Sequence, residues 1–103
     1  MNLEDKIKLN KLFDIYGELL TVKQREYYEY YYLKDYSLSE IAEILKVSRN
    51  AVHTQLKNVI IHLGNYEDKL MVLNKKDLAA KIIRKIDNNS ISLEDIKKEL
   101  EKV

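Results

Sequence analysis

Glycine and proline are almost missing from this chain of 103 residues, which has no proline and two glycines, Gly17 and Gly64. These two residue types supply most of the special backbone dihedrals of β-hairpins and tight turns. Their scarcity accompanies long runs of leucine, isoleucine, lysine and glutamate at helical spacing. The sequence therefore predicts an all-α fold, and its length allows one domain.

The composition excludes several classes of protein and of site. The chain is 46% hydrophobic and 34% charged with a net charge of +1, which is typical of a globular protein and argues against a strongly basic nucleic-acid coat. Without cysteine there is no disulfide, no zinc thiolate and no thiol nucleophile. The two histidines, His53 and His62, are poor material for a metal site. We expect no metal, no cofactor and no enzymatic activity.

The lengths of the apolar runs and the first residues of the chain bear on where the protein is located in the cell. No apolar run approaches the roughly 20 residues that a membrane span needs. No signal peptide opens the chain. We therefore expect a cytoplasmic protein with no membrane insertion.

The starts of the helices are read from N-cap residues, whose side-chain oxygens satisfy free backbone N–H groups. Thr21, Ser37 and Ser92 are each followed three residues later by a glutamine or an acidic residue, as in a capping box, and Ser48 and Asn74 are further candidate caps. The caps and the apolar spacing predict five to six helices, at about 3–19, 22–33, 38–45, 49–73, 75–87 and 93–102. We predict a helix-turn-helix domain over residues 1–73 and a helical extension over residues 74–103.

The long fourth predicted helix carries the most regular apolar pattern. Its seam alternates spacings of four and three residues through Val52, Leu56, Val59, Leu63, Tyr66, Leu70 and Leu73. Two interpretations fit this seam: the first or fifth helix of the same chain covers its second half, or part of it forms a symmetric dimer interface. We expect a homodimer, and the candidate interface residues are Tyr28, Tyr32, Ile60, Tyr66, Leu70 and Met71.

Six tyrosines are concentrated between residues 27 and 36. Because successive helical residues turn by about 100°, these side chains cannot all face the core. The helical positions predict that Tyr27, Tyr30 and Tyr31 face inward, whereas Tyr28 and Tyr32 lie more outward. Core packing is the favoured role for the run. A partner-binding surface and stacking on single-stranded nucleic acid are the alternatives.

Two short capped helices follow, in the segment SLSEIAEILKVSRNAVHTQLK of residues 37–57. The small side chain of Ala42 allows the two helices to cross at close range. Lys46 occupies the turn position where glycine is most usual. The second helix begins at Ser48 and projects polar side chains outward. This pattern predicts a helix-turn-helix, in which the second helix lies in the DNA major groove.

The candidate nucleic-acid contacts come mainly from the start of this second helix. Arg49 suits guanine or a phosphate, and Asn50 suits adenine. The other candidates for bases or phosphates are His53, Thr54, Lys57, Lys46, Lys23 and Arg25. The absence of acidic residues from Val47 to Leu63 favours an anionic partner. However, residues 21–63 hold six basic and five acidic residues, a net of +1, and a helical hairpin with a solvated polar face fits the same pattern.

The longer segment around this motif resembles region four of bacterial sigma factors, in which a capped helix with a Gln-Arg-Glu stretch precedes the helix-turn-helix. It reads TVKQREYYEYYYLKDYSLSEIAEILKVSRNAVHTQLK. With LFDIYG at residues 12–17 and YEDKL at residues 66–70, the chain more specifically resembles the YlxM family. This resemblance covers roughly residues 7–73, and residues 74–103 carry no recognised motif.

The resemblance implies a small, all-helical, non-enzymatic bacterial protein, often dimeric, that regulates the signal recognition particle pathway. The helix-turn-helix pattern makes DNA the expected partner, bound through the fourth helix. The alternative is an adaptor that binds the signal recognition particle GTPase, its receptor or its RNA directly and does not act on DNA. Val22 stands where the family commonly has proline, and the other sigma-factor regions are absent. We therefore do not expect a sigma factor proper.

Overall fold

The computed structural model describes residues 3–103. Over these residues the chain forms α1 (Leu3–Tyr16), α2 (Val22–Tyr28), α3 (Leu38–Leu45), α4 (Arg49–Leu70), α5 (Val72–Asp87) and α6 (Leu93–Leu100). A 3-10 turn, Gly17–Leu19, follows α1, and a π-helix, Glu29–Leu33, continues α2. The described residues contain no strand, which confirms the prediction of an all-α fold with a long fourth helix.

Most of the predicted cap residues begin a helix. The Thr21 hydroxyl accepts the backbone N–H of Gln24 at 3.1 Å, and the Gln24 side chain accepts the Thr21 N–H at 2.9 Å. Ser37 forms the same reciprocal pair with the glutamate three residues later. Ser48 and Ser92 each accept one backbone N–H of the helix that follows. Side-chain caps therefore start helices in this chain without proline.

The fourth helix ends three residues before its predicted end at residue 73, and the predicted cap at Asn74 is wrong. Helix α4 ends at Leu70, Met71 adopts a left-handed conformation with φ 54° and ψ 28°, and α5 begins at Val72. The N terminus of α5 is capped by the carboxylate of Glu67, which belongs to the preceding helix. The heptad spacing continues across the break, so the periodicity does not reveal it.

Two apolar clusters form the core. The first joins α1, α2, α4 and α5 through Leu9, Leu12, Tyr16, Leu20, Tyr28, Val59, Leu63 and Leu73. The second lies between α2, α3 and α4 and contains Tyr27, Ile41, Ala42, Val52 and Leu56. Full burial of a large apolar side chain contributes about 1.5–3 kcal/mol. Because α4 runs through both clusters, it fixes the helix-turn-helix relative to α1.

Helix α1 of the same chain covers the second half of the apolar seam on α4. Val59 and Leu63 are fully buried, and they share the first cluster with Leu9 and Leu12 of α1. This packing confirms the interpretation that a helix of the same chain covers the seam there. Beyond Leu63 the seam residues that belong to α4 are more exposed, and Leu70 at the end of α4 is 47% exposed.

The predicted orientations of Tyr28 and Tyr31 are wrong. Tyr28 is fully buried and stacks on Phe13 with ring centroids 4.1 Å apart, whereas Tyr31 is 36% exposed. Helix α2 is packed on two sides, so Tyr27 and Tyr28 enter different clusters. The π-helix then adds a residue to the turn, because its hydrogen bonds run from i to i+5, and this changes which later side chains face outward.

Helices α5 and α6 extend away from the core, and we call residues 72–103 the C-terminal arm. The radius of gyration is 18.2 Å, compared with about 13 Å for a compact chain of about 100 residues. Leu73 anchors the start of the arm in the first cluster. Farther along, several apolar side chains are exposed: Ile83, Ile86, Leu93 and Leu100. The arm therefore carries apolar surface that its own chain does not cover.

Candidate nucleic-acid interface

Helices α3 and α4 form the helix-turn-helix, and the turn between them forms without glycine. Lys46 adopts the left-handed conformation, with φ 56° and ψ 47°. The N–H of the next residue, Val47, donates to the Ala42 carbonyl at 3.0 Å. A left-handed conformation costs a residue with a Cβ about 1–2 kcal/mol, so the surrounding packing has to hold it.

The buried side chains of the second cluster determine which side of α4 faces solvent. Ile41 of α3 and Val52 of α4 are both fully buried. Tyr27 of α2 packs in the same cluster and is 3% exposed. Because these side chains hold α4 against α2 and α3, the opposite side of its first three turns remains open to a partner.

The side chains of α4 that were predicted to contact nucleic acid lie on this open side. At 100° per residue they occupy an arc of about 140°, from which the buried positions Val52 and Leu56 are absent. Each of them is exposed: Arg49, Asn50, His53, Thr54 and Lys57. The fold therefore brings these five side chains together on one surface of one helix.

The other three residues predicted to contact nucleic acid lie outside α4, and they differ in how exposed they are. Lys46 is exposed in the turn, and Lys23 is exposed in the first turn of α2. Arg25 is half-buried, and its Nε is shielded from solvent without a hydrogen-bond partner among the described residues. Arg25 also lines a shallow cavity with Glu26 and Glu29. Its guanidinium group is therefore partly enclosed beside acidic neighbours, unlike the two lysines.

Positive charge is concentrated on the exposed side of the first half of α4. Helix α4 has no acidic residue before Glu67, and its N terminus, capped by Ser48, carries the positive end of the helix dipole. Arg49 and Lys57 add full positive charges to the same surface. The nearby α3 contributes Glu40 and Glu43, both exposed. The start of α4 is therefore a basic strip within a nearly neutral chain.

The residues predicted for a dimer or partner interface divide into two groups. Tyr28 is in the core, where its hydroxyl contacts the Asn10 side chain, so assigning it to an interface is wrong. Tyr28 is buried because α1 packs against α2 at this position. The remaining side chains are half-buried or exposed: Tyr32, Ile60, Tyr66, Leu70 and Met71.

Sequence reasoning missed the exposed apolar surface of the C-terminal arm. Leu93 is 86% exposed, and Leu100 is 53% exposed. With Ile96 between them, these positions are spaced by three and four residues, which is the pattern of one helix face. This spacing in the sequence indicates an apolar face on α6.

The described residues were also compared with the requirements of metal sites and of membrane spans. Within residues 3–103, no group of three or more histidine, aspartate or glutamate side chains is placed to hold a metal ion. In the same part of the chain, no helix is both long enough and apolar enough to cross a membrane.

Comparison with known proteins agrees with this geometry. The model of the UPF0122 family, helix-turn-helix proteins like YlxM and p13, matches residues 3–103. The UPF0122 protein YlxM of Bacillus subtilis (strain 168) is 49% identical over 75 residues, which cover 73% of this chain and 68% of that protein. A UPF0122 protein of Bacillus thuringiensis (strain Al Hakam) is 42% identical over 101 residues, covering 98% and 92%. A third, from Oceanobacillus iheyensis, is 46% identical over 84 residues, covering 82% and 80%. The chain therefore belongs to the UPF0122 family of YlxM- and p13-like helix-turn-helix proteins.

Proposed function

We propose that this protein is a non-enzymatic DNA-binding regulator that places the first half of α4 in the major groove. The observation that carries the proposal is the exposed polar face of α4, which contains no acidic residue before Glu67. In a helix-turn-helix the first residues of the second helix reach base edges. Arg49 and Asn50 occupy those positions here.

Each side chain on this face has a role that follows from its chemistry. Arg49 donates two hydrogen bonds to guanine, and Asn50 makes a bidentate pair with adenine. His53 and Thr54 contact bases or backbone. The exposed lysines neutralise phosphates, which fixes the register of the protein on the duplex: Lys57, Lys46 and Lys23.

We propose that the functional unit is a homodimer. One chain offers few phosphate contacts, and helix-turn-helix dimers double them by binding two half-sites about 34–36 Å apart. The C-terminal arm supplies apolar surface for a second copy, next to the exposed Leu70 and Met71. Its helices also have opposite charge: α5 has five basic and two acidic residues, a net of +3, and α6 has two basic and three acidic residues, a net of −1.

We place this regulator in the signal recognition particle pathway because of its resemblance to the YlxM family. Within that pathway, direct binding to the GTPase, its receptor or its RNA is the second candidate function. Within this second candidate, the near-neutral net charge of +1 favours contact with the GTPase or its receptor over contact with the RNA, since proteins that bind nucleic acid strongly are usually more basic. The exposed apolar side chains of the arm are a surface that a protein partner would bury.

The two candidates are separated by measuring binding to both kinds of partner. The full chain is titrated into labelled duplex DNA from the region upstream of its own gene, and separately into the purified GTPase, receptor and RNA of the signal recognition particle. We expect tight duplex binding that weakens steeply between 50 and 200 mM salt, as counterion release requires. Binding to the GTPase, receptor or RNA without duplex binding would favour the adaptor instead.

A further inference from the structure

A cavity lined by tyrosines lies where α1, the π-helix and the start of α3 meet. Its volume is about 350 Å³, and its lining residues are Lys6, Tyr31, Tyr32, Asp35, Tyr36 and Ser37. Ligand pockets in proteins typically have volumes of about 300–1,000 Å³. The cavity is therefore large enough for a small planar group, and it lies outside the α4 face that we assign to duplex DNA.

The rings in this cavity are supported by a series of aromatic contacts that begins in the core. Phe13 stacks on Tyr28 with centroids 4.1 Å apart, and Tyr28 stacks on Tyr32 at 4.8 Å. Tyr32 then contacts Tyr31 at 4.9 Å, and Tyr31 is 36% exposed. On the other wall, Tyr36 stacks on Tyr30 at 5.4 Å. The exposed rings are therefore held in place before any ligand arrives, as a stacking surface requires.

The irregular backbone of this segment brings Asp35, which is exposed, into the lining of this cavity. After the π-helix, Asp35 adopts a left-handed conformation with φ 57°. The N–H of Tyr36 donates to the Tyr30 carbonyl at 3.0 Å, which closes the segment into a compact loop. Aspartate tolerates the left-handed conformation better than most residues. The loop therefore adds an acceptor-only group to an aromatic cavity.

We propose that this cavity binds an unpaired guanine nucleotide. Aromatic side chains bind unstacked bases by stacking, and polar side chains identify them at the Watson–Crick edge. Guanine has two adjacent donors on that edge, N1–H and the N2 amino group, and the two carboxylate oxygens of Asp35 accept both. Adenine and cytosine place a donor beside an acceptor there, and uracil places one donor between two acceptors. Guanine is therefore the base that suits a carboxylate best.

Cations beside the cavity suit the phosphates of such a nucleotide. Lys6 lines the cavity itself. A second cavity of about 260 Å³ shares Tyr31 and Tyr32 and extends to His53 and Lys57 of α4. A nucleic-acid strand that places its guanine in the first cavity can therefore extend through the second cavity, where Lys57 can contact its phosphates. This inference does not depend on duplex binding by α4, because Asp35 and Tyr31 lie outside α4.

The test measures the affinity of the full chain for two labelled single-stranded RNA heptamers, one of adenines only and one with a single central guanine. We expect the guanine-containing strand to bind at least about 10-fold more tightly, the discrimination expected of one good bidentate pair. Competition by free GMP, with none by AMP, would show that a mononucleotide fills the site. Guanine preference without GMP competition would show that the strand is required.

Three variants assign the preference to this cavity. Asp35→Asn keeps the left-handed conformation, since asparagine tolerates it, and should abolish the preference for guanine. Tyr31→Ala should weaken binding of both strands, whereas Tyr31→Phe should not. The double variant Arg49→Ala, Asn50→Ala should leave the guanine preference intact even where it abolishes duplex binding. Equal affinity of the wild type for the two strands, or an unchanged preference in Asp35→Asn, would overturn the inference.

Discussion

The hydroxyl of Tyr16 donates a hydrogen bond to Glu67 Oε1 at 2.7 Å and accepts one from the Val72 N–H at 3.1 Å. The Glu67 carboxylate also accepts the N–H groups of Leu73 and Asn74, at 3.0 and 3.1 Å. This pair ties α1 to the break between α4 and α5. It therefore sets the direction in which the C-terminal arm leaves the core.

Removal of the Tyr16 hydroxyl should destabilise the protein. Tyr16→Phe leaves the Val72 N–H without its acceptor and removes one of the two hydrogen bonds to Glu67 Oε1, which keeps the Leu73 N–H. We expect a loss of about 1–3 kcal/mol in the free energy of unfolding. Urea denaturation measures this loss. Tyr66→Phe is the matched control, because the Tyr66 hydroxyl donates one longer bond of 3.3 Å to the Leu19 carbonyl. Equal losses in the two variants would contradict the assigned role of Tyr16.

The stability of the α4–α5 junction should depend on acid pH. Burial opposes ionisation of Glu67, but hydrogen bonds from Tyr16 and from two backbone amides outweigh it and lower the pKa of Glu67 below 4.5. A lowered pKa in the folded state stabilises the protein above the unfolded-state pKa, and this contribution is lost as the pH falls through the folded-state pKa. Glu67→Gln should therefore be less stable than the wild type at pH 7, and the two proteins should converge towards pH 2.

Thermal melts followed by circular dichroism across that pH range test this prediction. Asp68→Asn is the control, since Asp68 is exposed in the same turn of α4. Its melting temperature should follow the wild type at every pH. A constant difference between Glu67→Gln and the wild type from pH 7 to pH 2 would contradict the role given to the Glu67 carboxylate.

Truncation of two tyrosines three positions apart should destabilise the protein to very different degrees. Tyr28 is fully buried between α1 and α4, so Tyr28→Ala should cost about 3–5 kcal/mol, as for other large aromatic truncations in cores. Tyr31→Ala should cost less than about 1 kcal/mol because its ring lies at the surface. Chemical denaturation of both variants checks the difference, and a larger loss for Tyr31→Ala would contradict the packing of α2.

The C-terminal arm should mediate self-association. Light scattering should give the wild type twice its chain mass of 12.2 kDa. Ile86→Glu with Leu93→Glu should give a monomer, because these exposed side chains would place charges in the buried interface. Leu33→Glu, at a position that is also about half exposed (52%) but lies on the π-helix, should remain dimeric. A wild type that is monomeric at every concentration would contradict the proposed homodimer.

Local signals in the sequence predicted most helix starts but not the break after α4. Thr21, Ser37, Ser48 and Ser92 begin helices because capping is a short-range interaction between residues two or three positions apart. The cap of α5 instead comes from Glu67, whose side chain reaches amides six and seven residues later. No rule about neighbouring residues detects such a contact, and neither glycine nor proline marks the break.

The exposure of the candidate DNA-contacting side chains was predicted better than that of the tyrosines, because those side chains lie on a regular α-helix. Regular α-helical periodicity places Arg49, Asn50 and Lys57 on one side of α4, and they are exposed there. The tyrosine run continues into a π-helix, where the period of 3.6 residues no longer holds. Tyr31, in the π-helix, is therefore exposed where it was expected to face inward. Tyr28 precedes the π-helix, and it is buried because α2 packs on two sides.

The most direct measurement of DNA reading by α4 is the affinity of the double variant Arg49→Ala, Asn50→Ala for a duplex selected by the wild type from a random pool. Two lost base contacts should weaken binding to that duplex by at least about 10-fold, while binding to a scrambled duplex changes much less. Lys69→Ala is the charge control, because Lys69 lies about 30 Å along α4 from Arg49, and it should bind like the wild type. Wild-type affinity of the double variant for the selected duplex would contradict the proposal that α4 reads DNA.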